Sequence, residues 1–242
     1  MSITVRKSEQ RGGADHGWLN SKHTFSFAGY YDPKYSSYGS LRVINEDHVA
    51  PGTGFPTHPH RDFEIFSYVI DGAIQHKDSM GNVEICKPGD IQFTSAGSGI
   101  MHSEFSVKEY GPLHFLQIWV KPNKNSLKPS YKTSHFSDED KKNKLCLCLS
   151  GDGAKNSIKI NQDILVYSSK LEQNNTINYD ISPGRKVYIH VIETSGGLEL
   201  KNNDKSVTLS PGDGAFLESP QQFTLTSTSS VLGHFILFDL VV

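Results

Sequence analysis

Short runs of β-branched and aromatic residues recur along the chain and alternate with clusters of Gly, Pro, Asn and Asp. Such runs are typical of β-strands, and the clusters between them are typical of turns. Helical spacing is rare, and the best candidate is a short turn at 137–140, where Ser137 can act as the N-cap. The pattern predicts an all-β fold, with its clearest strands at residues 65–70, 113–120, 164–167, 187–192 and 234–240.

A Pro-Gly-Asp turn that leads into a β-rich run occurs twice in the chain, at residues 88–93 and again at residues 211–216. A single Pro-Gly-Asp sequence is common in turns and carries little weight. Two copies, each preceded at a similar distance by another β-rich run, indicate an internal repeat. We therefore predict two tandem β-barrels that share one fold.

The length of the chain, 242 residues, fits two domains better than one small domain. Between the two halves, residues 121–144 are rich in Lys, Asn, Pro and Ser and poor in large aliphatic residues, which is typical of a linker. We predict an N-terminal domain over 1–125, a linker over 126–144 and a C-terminal domain over 145–242.

The composition of the chain bears on its expected cellular location and on its expected binding partners. The chain is 36% hydrophobic and 21% charged, without an apolar run long enough to span a bilayer. Its polar N-terminus lacks the apolar core of a secretory signal, and three cysteines cannot all pair, so we expect a cytoplasmic protein. A net charge of -2 offers no basic surface, so we expect no direct binding to nucleic acid or membranes.

Four residues of the first half have the spacing of metal ligands: His58, His60, His102 and Glu104. Side chains alternate along a strand, so His58 shares a face with His60, and His102 shares a face with Glu104. If the two strands face each other, their nitrogen and oxygen ligands suit one divalent transition metal and leave positions open for substrate or dioxygen. Either pair alone is compatible with a solvated strand, and Glu64 is a rival carboxylate on the face of His60.

Around these residues the chain resembles known proteins. Residues 52–72 are similar to the first cupin motif and residues 89–102 to the second, although Ser95 stands where cupins usually carry Pro and extra residues precede His102. The resemblance is more specific to the pirin family, closely over the first 120 residues and loosely over the rest. It is carried by residues 11–13, 23–27, 41–43, 58–64 and 99–104.

Membership of the pirin family implies two tandem cupin barrels of the jelly-roll type. It also implies that His58, His60, His102 and Glu104 hold the metal, whereas the carboxylate that matches Glu64 is not a ligand. The expected cofactor is one divalent transition metal per chain, with Fe(II) as the first expectation and Ni, Mn, Co, Cu or Zn as alternatives.

The same resemblance implies two functions of different kinds. Some pirins resemble quercetin 2,3-dioxygenases, in which Glu104 would be both ligand and catalytic base for a flavonol-like aromatic substrate that reacts with dioxygen. Others resemble redox-sensitive iron proteins that bind a protein partner and regulate transcription without turnover. We expect the dioxygenase, and a metal-binding cupin without any turnover is a third possibility.

The second half lacks such a cluster. Superposing the two Pro-Gly-Asp turns puts Leu225 and Ser227 at the places of His102 and Glu104, and the upstream match puts Asp180 and Ser182 at His58 and His60. We therefore predict a degenerate C-terminal barrel that binds no metal.

Several residues near the N-terminus have two interpretations. Lys22 and His23 are candidates to face the metal, although nothing local to them shows it. A group of aromatic residues fits either core packing or the wall of an aromatic-ligand pocket. That group is Trp18, Phe25, Phe27, Tyr30 and Tyr31.

Overall fold

The structure is a computed structural model that describes residues 3–192, 195–203, 205–218 and 221–242. Its described residues are organised mainly as antiparallel strands, which confirms the predicted all-β fold. The strands of the first half are β1 (Ile3–Arg6), β2 (Gly12–Asp15), β3 (Leu19–His23), β4 (Leu41–Val49), β5 (Gly54–His60), β6 (Glu64–Asp71), β7 (Ile74–Asp78), β8 (Val83–Cys86), β9 (Asp90–Ser95), β10 (Ile100–Ser106), β11 (Leu113–Val120) and β12 (Ser130–His135). Those of the second half are β13 (Cys146–Ser150), β14 (Ile158–Lys159), β15 (Ile164–Leu171), β16 (Thr176–Ile181), β17 (Arg185–Val191), β18 (Leu198–Lys201), β19 (Ser206–Leu209), β20 (Gly214–Glu218), β21 (Gln221–Ser227) and β22 (Gly233–Val241).

The helices are short. The predicted helical turn is confirmed as α1 (Asp138–Lys141), where the Ser137 hydroxyl accepts a hydrogen bond from the Asp140 N–H at 3.2 Å. The remaining turns are 3-10 helices at Ser8–Gln10, Pro33–Tyr35, Lys108–Tyr110 and Ala154–Asn156. Within the described part of the chain, no helix has the length and apolar character needed to cross a bilayer.

Two compact units divide the chain. The N-terminal unit comprises residues 12–135 and 160–162, and the C-terminal unit comprises the described residues among 1–11, 136–159 and 163–242. Each unit contains one seven-stranded and one four-stranded sheet, as expected for double-sheet jelly rolls.

The borders of these units differ in two places from the domain limits that we drew from composition. Strand β1 pairs with β20, and Ile3 is buried in the core of the C-terminal unit. The segment that resembled a linker contains β12, which pairs with β9 at the edge of a sheet of the N-terminal unit. An edge strand tolerates polar side chains that face water, so its composition resembles that of a linker.

The N-terminal unit has its seven-stranded sheet in the order β12-β9-β6-β11-β4-β3-β2 and its four-stranded sheet in the order β5-β10-β7-β8. Part of its apolar core is a cluster that joins the two sheets. The cluster includes Leu19, Val49, Val69, Ile74, Cys86, Leu113 and Phe115. This packing holds β7 and β8 against the larger sheet, and β10 and β5, which carry the predicted ligands, follow β7 in the smaller sheet.

The C-terminal unit repeats this plan, with the sheets β1-β20-β17-β22-β15-β13-β14 and β16-β21-β18-β19. Its core is continuous and apolar, with Val187, Ile189, Leu217, Leu225 and Phe235 all fully buried. The apolar character of these positions follows from the alternation of inward and outward side chains along each strand.

One predicted correspondence between the two halves is wrong. Leu225, the predicted counterpart of His102, pairs with Ile177 of β16, whereas Asp180 pairs with Gln222 and is exposed. Ser182 lies beyond the end of β16. The Pro-Gly-Asp match places Leu225 and the upstream match places Asp180. Neither match contains the register that hydrogen bonding sets between neighbouring strands.

Candidate metal centre

Strands β5 and β10 bring three histidines together. In their antiparallel register His102 pairs with His58, and Ile100 pairs with His60. The Nε2 atoms of His102 and His58 are 3.0 Å apart, and one ring nitrogen from each of the three histidines lies within 4.8 Å of the others. The alternation of side chains that puts His58 and His60 on one face of β5 therefore also brings both of them next to His102 of β10.

The chemical state of these imidazoles fits a metal ion. Burial, and to a smaller extent the neighbouring imidazoles, lower the pKa of both His60 and His102 to about 3, so both rings are neutral near pH 7. A neutral imidazole is the form that ligates metals. Among the described residues, Nε2 of His60 and Nδ1 of His102 are buried without a hydrogen-bond partner, and a buried nitrogen of this kind is free to bind a ligand such as a metal ion.

Glu104 lies on the same strand as His102 but closer to the seven-stranded sheet. A register shift between the two residues pairs Glu104 with Phe55, and its Oε2 atom is 4.0 Å from Nε2 of His102. Glu104 is almost fully buried. The structure thus places all four predicted ligands in one region, with His102 at the centre.

His76 is a functional candidate that our sequence interpretation missed. It pairs with Glu104 across β7 and β10, is fully buried, and forms a second possible ligand group with His102 and Glu104. Its Nε2 atom lies 3.1 Å from Asp78, and its ring stacks on Tyr131 at 4.3 Å. The His76-x-Asp78 spacing has the same period of two as His58-x-His60 and was available as a signal.

Glu64, the other candidate carboxylate, forms its hydrogen bonds outside the histidine cluster. Its Oε1 atom accepts a 2.6 Å hydrogen bond from the Ser95 hydroxyl, and its Oε2 atom accepts bonds from the backbone and side-chain N–H groups of Asn161 at 2.9 and 3.1 Å. Glu64 belongs to neither group of possible ligands found among the described residues. Its contacts indicate that it ties the segment at Asn161 to β6 and β9.

Polar residues run across the inner face of the seven-stranded sheet at one level. Cross-strand pairing connects them in sequence through β3, β4, β11, β6 and β9, and all are buried. This polar row consists of His23, Asn45, Gln117, Ser67 and Gln92. A row of buried polar side chains in a sheet of apolar strands indicates a common partner, since each of them must be hydrogen-bonded.

Glu104 is the common hydrogen-bond partner of three residues of the polar row. Its Oε1 atom accepts a hydrogen bond from Ser67 at 3.3 Å and a short one from Gln92, and its Oε2 atom accepts one from Gln117 at 3.3 Å. The polar row therefore holds Glu104 in a fixed position and orients its oxygens, as supporting residues around a metal ligand do.

A cavity of about 380 Å³ opens beside the histidines and lies within the N-terminal unit. His58 and His60 form part of its wall. Its apolar lining includes Leu19, Phe27, Phe55, Pro56 and Trp119. Its polar lining includes Ser21, His23, Asn45, Asp47 and Gln117. A concave site with aromatic walls and a few polar groups has the character of a small-molecule pocket.

The residues near the N-terminus that had two interpretations lie in different environments in the structure. Phe27 and His23 line the cavity, and Phe27 packs edge-on against Trp119 with ring centroids 5.6 Å apart. Phe25 is buried in the core, and Tyr31 is mostly exposed. The aromatic group therefore has mixed roles that its composition alone does not distinguish.

Two family models match the chain, one described as Pirin over residues 4–120 and one described as the quercetinase C-terminal cupin domain over residues 147–240. A quercetin 2,3-dioxygenase of Escherichia coli is 40% identical over 238 residues, which is 98% of each chain. A pirin-like protein of Caulobacter vibrioides is 40% identical over 227 residues, or 93% of this chain and 94% of that one.

Solved structures agree with these matches. The bacterial pirin YhhW from Escherichia coli in complex with nickel(II) superposes with a TM-score of 0.90 at 38% identity, and the match covers 99% of both chains. The fold and the comparisons define a double-cupin protein. More narrowly, the chain belongs to the pirin family, as the resemblance predicted.

Proposed function

We propose that this protein is a metal-dependent dioxygenase that acts on a flavonol such as quercetin, at a single site in the N-terminal unit. The observation that carries the proposal is the convergence of His58, His60 and His102 beside an aromatic-lined cavity, with an oxygen of Glu104 4.0 Å from His102. The name of the Escherichia coli relative, quercetin 2,3-dioxygenase, supports the reaction and the substrate class.

We assign His58, His60, His102 and Glu104 as the ligands of one divalent transition metal. The nickel(II) complex of the Escherichia coli pirin supports a metal of this class, and Fe(II) stays our prediction for this chain. When bound, the ion supplies a Lewis acid for substrate oxygens and the redox chemistry that dioxygen requires. The resemblance to the pirin family also predicts Glu104 as the catalytic base, and a second buried carboxylate in the cavity wall, Asp47, competes with it for that role.

The protein groups around the site bind and orient the substrate. Phe27, Phe55 and Trp119 offer apolar surfaces to a planar aromatic molecule and exclude water from it. Trp119 also packs edge-on against His60, with ring centroids 4.8 Å apart, and so helps to fix this imidazole. A volume of about 380 Å³ lies in the range of small-molecule sites.

Incubation of the metal-loaded protein with quercetin, in air and under nitrogen, tests the proposal. We expect quercetin to be lost in air only, and the His102→Ala variant to lose this activity together with its metal. A regulatory pirin that binds a protein partner without turnover would show no quercetin loss in either atmosphere. That result, with full metal occupancy, would contradict the dioxygenase.

A further inference from the structure

Asp47 is a buried carboxylate that the ligand assignment does not use. It lies on β4, is only 2% exposed and lines the cavity beside His58 and His60. Cross-strand pairing places it opposite Ser21 of β3, and the Ser21 hydroxyl donates a short hydrogen bond to its Oδ1 atom. Among the described residues, no hydrogen bond reaches its Oδ2 atom.

Glu104 has the opposite arrangement. Both of its oxygens accept hydrogen bonds from the polar row, with Ser67 and Gln92 on Oε1 and Gln117 on Oε2. Of the two carboxylates, Asp47 lines the cavity and Glu104 does not, as far as the described residues define its wall. Both oxygens of Glu104 are therefore occupied by donors of the protein, whereas a hydroxyl bound in the cavity can reach Oδ2 of Asp47.

We propose that Asp47, and not Glu104, accepts the proton of a phenolic hydroxyl bound in the cavity, and that Glu104 acts as a metal ligand alone. This inference rests on the proposed function for its substrate class, a planar aromatic molecule with an acidic hydroxyl. In the step, the O–H bond of the hydroxyl breaks and an O–H bond to Oδ2 of Asp47 forms. The electron pair stays on the phenolate oxygen, so no oxidant is consumed.

The surroundings of Asp47 support this role. The pKa of Asp47 is raised to about 7, mainly because the carboxyl is buried; Glu104 and Glu46 also raise this pKa, while Ser21 and His48 lower it. A general base works best when its pKa is near the working pH. The neighbouring pair formed by His23 and Asn45, 2.9 Å apart, continues the polar surface on which a second hydroxyl of the ligand can dock.

The test compares Asp47→Asn with Asp71→Asn in the metal-loaded, full-length protein. Asp71 lies at the exposed end of β6 and outside the cavity wall, so the same change of side chain there leaves the cavity as it is. We expect both variants to retain metal and the β-sheet circular dichroism of the parent protein. With quercetin, Asp47→Asn should lower kcat by about 10²–10⁴-fold with KM within about threefold, whereas Asp71→Asn should leave kcat unchanged.

A second readout does not depend on turnover. Zinc-loaded protein is mixed with 3-hydroxyflavone at pH 8, where a carboxyl with a pKa of about 7 is ionised, and the absorption band of the ionised probe is recorded. The parent protein and Asp71→Asn should show this band for the bound probe, and Asp47→Asn should show at least about tenfold less of it, because the proton acceptor is missing.

The outcomes separate the inference from the proposed function. If quercetin is not consumed but the ionised probe depends on Asp47, the dioxygenase fails and the phenol-binding role of Asp47 stands. If Asp47→Asn keeps both kcat and the ionised band, or if the parent protein binds neither compound, the inference is overturned. Loss of metal or of folded structure in Asp47→Asn alone would show a structural role and would also overturn it.

Discussion

The Nε2 atoms of His58 and His102 lie 3.0 Å apart although the residues are 44 positions apart in sequence. Two imidazole nitrogens at this distance either share one proton or direct both lone pairs at a common cation. Because His60 joins them with an unpartnered buried nitrogen, the second explanation accounts for more of the geometry. This relationship is the basis of the ligand assignment.

The first prediction follows directly. Replacing His58 or His102 by Ala removes a ligand, so metal affinity should fall by more than the roughly 10–100-fold that is typical for loss of a supporting residue. Elemental analysis after dialysis should find little metal in either variant. His135→Ala, which changes an exposed histidine of the same unit, should retain it. Full occupancy in both ligand variants would refute the assignment.

The second prediction distinguishes the two glutamates. Glu64→Gln should keep its metal, since its oxygens bond to Ser95 and Asn161. The new amide NH₂ faces donors, so the free energy of unfolding should fall by roughly 1–3 kcal/mol. Glu104→Gln should instead lose metal and activity.

Metal content and urea unfolding, measured on the same preparations, separate these two effects. Retention of metal by Glu104→Gln together with its loss from Glu64→Gln would mean that the ligand roles are reversed.

The period of two along a strand explains why much of the site could be predicted. It placed His58 with His60 and His102 with Glu104 before any register was known. The polar row could not be found in this way, because Ser67, Gln92 and Gln117 lie on different strands. They align only after hydrogen bonding fixes the register between the strands. A single polar residue within an apolar run does not predict that alignment.

The same limit explains the error in the second half. Phe223, Leu225 and Ser227 share the buried face of β21, but the residue opposite Leu225 depends on the pairing of β16 with β21, which superposing the turns does not give. The fold itself was easier to predict from the sequence, since repeated turns and β-rich runs occur throughout both halves.

The third prediction concerns stoichiometry. Leu225 is flanked across its sheet by Ile177 and Leu200, and all three are buried. Titration should therefore saturate at one metal per chain. Leu225→His should add no second site and should destabilise the protein by about 1–3 kcal/mol, because a buried imidazole there lacks partners. Two metals per chain, with one lost only on changes in the second half, would contradict this prediction.

The fourth prediction uses the pKa of Asp47, raised from 3.8 to about 7 mainly by burial. In metal-free protein, the folded state keeps a proton that the unfolded chain releases between about pH 4 and pH 7. The stability contributed by this group is therefore fully present below about pH 4 and is lost as the pH rises to 7. Asp47→Asn cannot ionise, so it should exceed the parent protein in stability at pH 8, by on the order of 4 kcal/mol at most.

Urea unfolding of both proteins at pH 4.5 and pH 8 measures this difference. Asp71→Asn, at an exposed position on β6, is the matched control and should show no such dependence on pH. If the advantage of Asp47→Asn is the same at both pH values, the carboxyl of Asp47 does not titrate in this range.

The proposed dioxygenase is tested most directly by the fate of the oxygen atoms. The iron-loaded protein is incubated with quercetin under ¹⁸O₂, and the products are analysed by mass spectrometry beside a reaction in ¹⁶O₂. A dioxygenase transfers both atoms, so the account predicts products that together carry two ¹⁸O atoms per quercetin consumed, and no products from the His58→Ala protein. Unlabelled products, or quercetin loss that persists at the same rate without the metal ligands, would contradict it.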